Sequence, residues 1–179
     1  MRYVEIGRFA CRPLAVCQIR GRDFAFGEES AMSTVRLVAT NPDLCRGCET
    51  CTLACSLYHE AACSPDLARL AIAKDMARYK FAIRICQHCN EPPCLPACLP
   101  GAMAIDCQGI ITINDQCCTR CGACASSCPH DAILYSDYYH RFLKCDLCGG
   151  REDGPLCVEL CSVGALSLRS AQTGGRGRN

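Results

Sequence analysis

Sixteen cysteines fall into four runs of four, at spacings that suit thiolate ligation of a polynuclear metal centre. The first run is Cys45, Cys48, Cys51 and Cys55, and the third is Cys118, Cys121, Cys124 and Cys128; both read C-x2-C-x2-C-x3-C. The second run, Cys86, Cys89, Cys94 and Cys98, widens the middle gap to four residues. The fourth, Cys145, Cys148, Cys157 and Cys161, widens it to eight. A cubane [4Fe-4S] cluster offers four iron corners, and a loop of about seven residues with thiolates at its first, fourth and seventh positions reaches three of them. The fourth corner needs a distant cysteine, so where two runs pair, the last cysteine of each serves the other run's cluster. Two such pairs of runs make four [4Fe-4S] clusters.

Other uses of these cysteines fit less well. Zinc knuckles also employ C-x2-C, but as separated pairs closing a tetrahedral site, which leaves a structural zinc-binding module as the alternative of a different class. Pro129 directly follows the third run and Pro100 lies close behind the second, as in bacterial cluster-binding runs. A disulfide framework is disfavoured, because the total of 21 cysteines is odd and no secretory signal is expected in residues 1–33. Cys11, Cys17, Cys63, Cys107 and Cys117 stand outside the pattern and are expected to be mostly ordinary buried thiols, with Cys118 preferred to its neighbour Cys117 as a ligand. Arg46, Arg84, Arg120 and Lys144 lie one or two residues from ligand positions and either offset cluster charge or are simply solvated. His88 either donates a hydrogen bond to a sulfur or is a satisfied surface histidine.

The elements that must hold these loops are short. Ala102, Ala132 and Ala165 each stand four residues after a closing cysteine and precede Met103, Ile133 and Leu166, where a strand should start. Residues 104–106 and 110–113 flank a turn at Cys107-Gln108-Gly109 and predict a β-hairpin joining the second run to the third. Leu70 and Ile72, then Phe81, Ile83 and Ile85, alternate with period two and predict another. Helices are expected at about Thr50 to His59 and Leu156 to Cys161, with loop elsewhere. The fold class is therefore α+β, loop-rich and internally repeated.

Aromatic residues make up only 6% of the chain and tryptophan is absent, so side-chain burial alone cannot supply a generous core. Clusters that cross-link distant segments would replace it, and the apo-protein is expected to be unfolded. The net charge of +1 argues against nucleic acid as a partner. Four oxidised clusters with their thiolates would bring it to roughly −7. No run approaches the roughly 20 apolar residues of a membrane span, and a cytoplasmic location is expected. Neither a nucleotide-binding glycine loop nor a flavin or pterin site is evident, so catalysis is expected to belong to another subunit.

Residues 34–168 resemble the four-cluster, ferredoxin-like electron-transfer subunits that accompany molybdenum or tungsten pterin oxidoreductases, hydrogenases and CO dehydrogenases. Cys-Gln-His-Cys-Asn-Glu-Pro-Pro-Cys at Cys86 to Cys94 and the C-x8-C gap from Cys148 to Cys157 carry the resemblance. It implies tandem bacterial-ferredoxin-like lobes, with the first run paired to the fourth and the second to the third. The implied ligand sets are Cys45, Cys48, Cys51 and Cys161; Cys55, Cys145, Cys148 and Cys157; Cys86, Cys89, Cys94 and Cys128; and Cys98, Cys118, Cys121 and Cys124. Such subunits pass electrons through clusters in series between a catalytic subunit and a second redox partner, such as a flavin/NAD subunit or a ferredoxin. The short form is most similar to the small iron-sulfur subunit of tungsten aldehyde oxidoreductase, with hydrogenase, formate dehydrogenase and CO dehydrogenase partners as alternatives. The implied catalytic subunit thus holds a tungsten or molybdenum pterin, or nickel.

The ends depart from that pattern. Residues 1–33 are expected to be an N-terminal extension and 169–179 a flexible Gly/Arg tail. Both are expected to contact neighbouring subunits, with self-association into chains as one outcome. Removing residues 1–31 should then reduce the assembly size measured by anaerobic size-exclusion chromatography, and an unchanged size refutes this.

Overall fold

The computed structural model describes residues 34–106, 108–149 and 151–172. Every strand belongs to a two-stranded antiparallel ribbon, and among the described residues no larger sheet forms. β1 (Thr34–Thr40) pairs with β8 (Leu166–Gln172) in the register Thr40 to Leu166, which ties the two ends of the described chain together. β2 (Leu70–Asp75) and β3 (Lys80–Ile85) form the hairpin expected from period-two alternation, longer at the turn than the apolar positions indicate. β4 (Met103–Ile105) and β5 (Ile111–Ile113) form the hairpin between the second and third runs. There the Asp106 carboxylate accepts the N–H groups of Gln108 and Ile110 and shapes the turn. β6 (Ile133–Ser136) starts where expected, but its partner β7 (Arg141–Lys144) was expected to be loop.

The helices are short because each begins at a ligand loop. α1 (Thr50–Glu60) ends at Ala61, whose left-handed backbone lets its N–H cap the Leu57 carbonyl. α2 (Ala123–Ser126) and α3 (Leu156–Glu159) are single turns carrying Cys124 and Cys157, and α3 follows Pro155. A helix was expected to run on to Cys161, but α3 stops at Glu159, and the Cys161 N–H turns back to the Val158 carbonyl as the chain leaves the helix. Residues 169–172, expected in a flexible tail, are strand residues of β8, held there by pairing with β1. The expectations for residues 1–33 and 173–179 lie outside the described residues.

Two apolar clusters hold these pieces. One joins Val38, Leu70, Ile85 and Leu166 to Cys55, Cys145 and Cys157, and the other joins Met103, Ile111 and Ile133 to Cys94 and Cys124. Cysteines are four of the eleven buried residues in the first cluster and two of the five in the second, so part of each core is candidate ligand. An ion-pair network spans the same elements. Arg141 on β7 reaches Glu60 at the end of α1 and Asp115 beyond β5, and Arg69 reaches Asp146 at 2.6 Å. The Glu60 side chain is only 7% exposed, and these arginines are its ion-pair partners.

Gly47 packs under the β2–β3 hairpin. Its φ of +65° disfavours a side chain, and a Cβ there would lie 2.5 Å from a Phe81 ring carbon. Gly164 has nearly the same φ, +66°, with open space where a Cβ would go. A left-handed alanine alone costs about 1–2 kcal/mol. Gly164→Ala should therefore only modestly speed loss of cluster absorbance in guanidinium, while Gly47→Ala, which adds the Phe81 clash, should bleach severalfold faster under the same conditions.

Candidate metal-cluster sites

The ligand loops repeat one backbone solution. The residue before the second cysteine of each run is left-handed: Gly47 (φ 65°), His88 (43°), Arg120 (60°) and Leu147 (58°). That kink folds the loop so that its N–H points back at the first thiol. Gly47, His88 and Leu147 donate to the Sγ atoms of Cys45, Cys86 and Cys145 at 3.5, 3.3 and 3.4 Å. A second kink follows three of the closing cysteines, at Gly101, Asp131 and Gly164, and turns the chain into the strand opened by Ala102, Ala132 and Ala165. Each of these alanines is buried, which explains the recurrence of so small a residue. The Ala102 N–H donates to Cys98 Sγ at 3.2 Å, and Arg69 N–H to Cys55 Sγ at 3.3 Å. Cysteine spacing does not announce these donors, although the repeat of the runs is a signal that the loops share a conformation.

Distant cysteines gather into groups. Cys45, Cys48, Cys51 and Cys161 line one hollow, and Cys86, Cys89, Cys94 and Cys128 line another. The remaining groups are visible in how thiols act on one another. Cys55, Cys145 and Cys148 all oppose ionisation of Cys157, and Cys98 and Cys118 oppose that of Cys124. Cys121 is exposed, beside the α2 start. Packing links the groups too, since Cys55, Cys86, Cys145 and Cys157 share one apolar cluster with Cys51, Cys128 and Cys161 packed against it.

Burial dominates the thiol chemistry. It pushes Cys51 up to about 11 and Cys55 and Cys145 up to about 12, and it raises Cys89, Cys94, Cys124, Cys148 and Cys157 as well. At the more exposed Cys48 and Cys121 the balance reverses. Hydrogen bonds from the Thr50 hydroxyl and the Ala123 N–H respectively hold those thiols below their ordinary range. A thiolate is the form that binds metal, so the buried groups ionise only when cations replace their protons.

Three further features suit an anionic metal–sulfide group. Lys144 is 6% exposed and lines the Cys86, Cys89, Cys94 and Cys128 hollow, with its ammonium bound to the carbonyls of Ile111 (2.5 Å) and Cys145 (3.2 Å) and to no carboxylate. His88, far from being a surface residue, is buried, and its Nδ1 accepts the Ile111 N–H at 3.1 Å. The buried Nε2–H has no acceptor among the described residues. Finally, among the described residues no three His, Cys, Asp or Glu side chains converge to hold a single metal ion. A zinc site needs its sulfurs within about 3.8 Å of one another, given a Zn–S bond of about 2.3 Å.

The other cysteines and cations separate clearly. Cys63 is exposed, contrary to the expected buried thiol, and Cys117 is disulfide-bonded, which leaves Cys118 as the ligand candidate. Cys11, Cys17 and Cys107 lie outside the described residues. Arg46 and Arg120 are exposed and Arg84 is half-buried, so of the four basic candidates only Lys144 is removed from solvent.

Comparison with known proteins places this geometry. Residues 77–171 match the 4Fe-4S dicluster domain family. The chain is 33% identical over 125 residues to the polyferredoxin-like subunit of aliphatic sulfonate oxidoreductase from Pyrococcus furiosus, covering 69% of this chain and 70% of that one. It is 30% identical to a subunit of anaerobic dimethyl sulfoxide reductase from Haemophilus influenzae (69% and 68% covered) and 29% identical to formate hydrogenlyase subunit 2 from Escherichia coli (74% and 81%). Among solved structures, one polypeptide of the active-site complex BamBC of benzoyl coenzyme A reductase with 1,5-dienoyl-CoA superposes with a TM-score of 0.50 at 25% identity, with 81% of each chain covered. The runs of cysteines, the ribbon-and-loop architecture and these matches together show that the protein belongs to the 4Fe-4S dicluster domain family of iron-sulfur electron-transfer proteins.

Proposed function

We propose that this protein is a non-catalytic subunit that carries four [4Fe-4S] clusters in series between a catalytic oxidoreductase subunit and a second redox partner. The observation that carries the reading is the grouping of thiols from distant runs. The proposed ligands are Cys45, Cys48, Cys51 and Cys161 for the first cluster; Cys55, Cys145, Cys148 and Cys157 for the second; Cys86, Cys89, Cys94 and Cys128 for the third; and Cys98, Cys118, Cys121 and Cys124 for the fourth. The packing of Cys51 and Cys161, and of Cys86 and Cys128, in or against one apolar cluster with Cys55, Cys145 and Cys157 supports placing the first and third sites beside the second. Between them, Cys94 and Cys124 share one apolar cluster with Cys98 and Cys128 packed against it, which supports the fourth site as neighbour of the third. When bound, the clusters supply one-electron chemistry. The chain's own residues fix the thiolates, donate N–H groups to sulfur and exclude water.

For the catalytic partner we propose a tungsten or molybdenum pterin enzyme, with tungsten aldehyde oxidoreductase first. The named complexes of the relatives favour a partner that oxidises or reduces a small molecule, and formate hydrogenlyase keeps a hydrogenase or formate dehydrogenase partner as the second reading. Among the described residues no helix is long and apolar enough to cross a membrane, so contact with the partner would be made by ribbons and loops.

Elemental analysis of the protein isolated anaerobically with its bound partners tests the proposal. About 16 irons and 16 sulfides per chain, with tungsten, molybdenum or nickel in the partner, are expected. About four zincs with little sulfide would overturn it in favour of a structural module. The ligand exchange between runs has its own test: Cys157→Ser and Cys161→Ser, changes in one run, should perturb different electron paramagnetic resonance signals, and loss of the same signal from both refutes the pairing.

A further inference from the structure

The four proposed sites differ in electrostatic surroundings, and the difference is concentrated at one side chain. Among the described residues Lys144 is the one lysine or arginine that is fully buried. The other cations near thiols are exposed or committed, except Arg84, which is half-buried with its Nε unpartnered and lines a separate groove beside Tyr135 and Asp137. Arg69 and Arg141 are paired with Asp146, Glu60 and Asp115, Arg151 with Glu159 and Asp153, and Lys74 with Glu49. Asp146, the carboxylate whose field reaches His88, is already engaged by Arg69 and His59. Lys144 thus keeps an unneutralised charge in a medium that screens it poorly, a costly arrangement unless an anion sits beside it.

Its position identifies the anion. The side chain lines the Cys86, Cys89, Cys94 and Cys128 hollow, and its ammonium donates to the backbone carbonyl of Cys145, a proposed ligand of the second site. It therefore stands where the third site meets the second. We propose that Lys144 is the potential-setting residue of the protein and makes the third site, on Cys86, Cys89, Cys94 and Cys128, the most readily reduced of the four. This rests on the four-cluster reading. The step concerned is a one-electron exchange, in which the third site gains the electron that a neighbouring site loses and no proton moves. Lys144 favours the reduced side because the added negative charge is stabilised by a fixed buried ammonium. The first site has only the exposed Arg46 and the paired Glu49 at its hollow, so it receives no comparable field. Electrons entering from either end would collect in the interior of the series.

The test is an anaerobic redox titration of the full chain, followed by electron paramagnetic resonance, with iron and sulfide assayed in every sample. The first signal to appear on reduction should be altered by Cys94→Ser and untouched by Cys48→Ser. Lys144→Gln keeps a donor for the Ile111 carbonyl but removes the charge. It should shift the reduced-to-oxidised ratio of that signal at least tenfold toward oxidised, about 59 mV for one electron. Lys144→Arg should leave it within about twofold of the unmodified protein. An unshifted midpoint in an iron-replete Lys144→Gln protein overturns the proposal, as does a first signal altered by Cys48→Ser. If Lys144→Gln fails to assemble, the Cys94 and Cys48 comparison, made with Lys144 intact, decides. Absence of iron and sulfide from the unmodified protein would instead overturn the four-cluster reading, so the two failures are distinct.

Discussion

Thiolate charge must be held where water cannot solvate it, and the rest of the structure depends on how that is managed. Burial lifts the buried thiols well above neutrality, to about 12 at Cys55 and Cys145. Left alone they would stay protonated and bind nothing. On the proposed reading iron supplies the compensating charge and couples ligation to folding, as in small domains whose metal contributes the folding free energy. The two apolar clusters, in which cysteines sit among a few aliphatic side chains, are too small to act otherwise.

Backbone polarity manages what charge remains. Left-handed kinks precede the second cysteine of every run, at Gly47, His88, Arg120 and Leu147, although only one of these is glycine, and at Gly47, His88 and Leu147 they aim an N–H at sulfur. A non-glycine residue held at positive φ costs of order 1–3 kcal/mol, a strain that persists only where the surroundings over-determine it. Potential tuning and loop geometry are thus one feature, because the kink that brings three thiols around a metal centre also turns an amide dipole toward it.

Side-chain charge is then distributed unevenly along the series. Ion pairs around Glu60, Arg69, Arg141 and Asp146 neutralise one another while tying α1 to β7 and the fourth run. Among the described residues Lys144 is the one buried lysine or arginine, and no carboxylate pairs with it between its two thiol groups. On the proposed four-cluster reading, that asymmetry gives a row of otherwise similar cofactors a preferred resting place for electrons.

The sixteen candidate ligands, the internal repeat, the strand starts after Ala102, Ala132 and Ala165 and the first two hairpins were legible from sequence alone, because ligand spacing and period-two alternation are local properties of the chain. The pairing of β1 with β8 was not, since it joins residues more than 120 positions apart and neither strand has a turn signal to announce its partner. β7 was missed because Arg141-Phe142-Leu143-Lys144 is too short to show a period. Likewise four basic residues near the runs looked equivalent in sequence, and only the tertiary structure separated Lys144 from Arg46, Arg84 and Arg120. Spacing decides which atoms can reach a metal; burial, which no local pattern encodes, decides how strongly a charge beside that metal is felt.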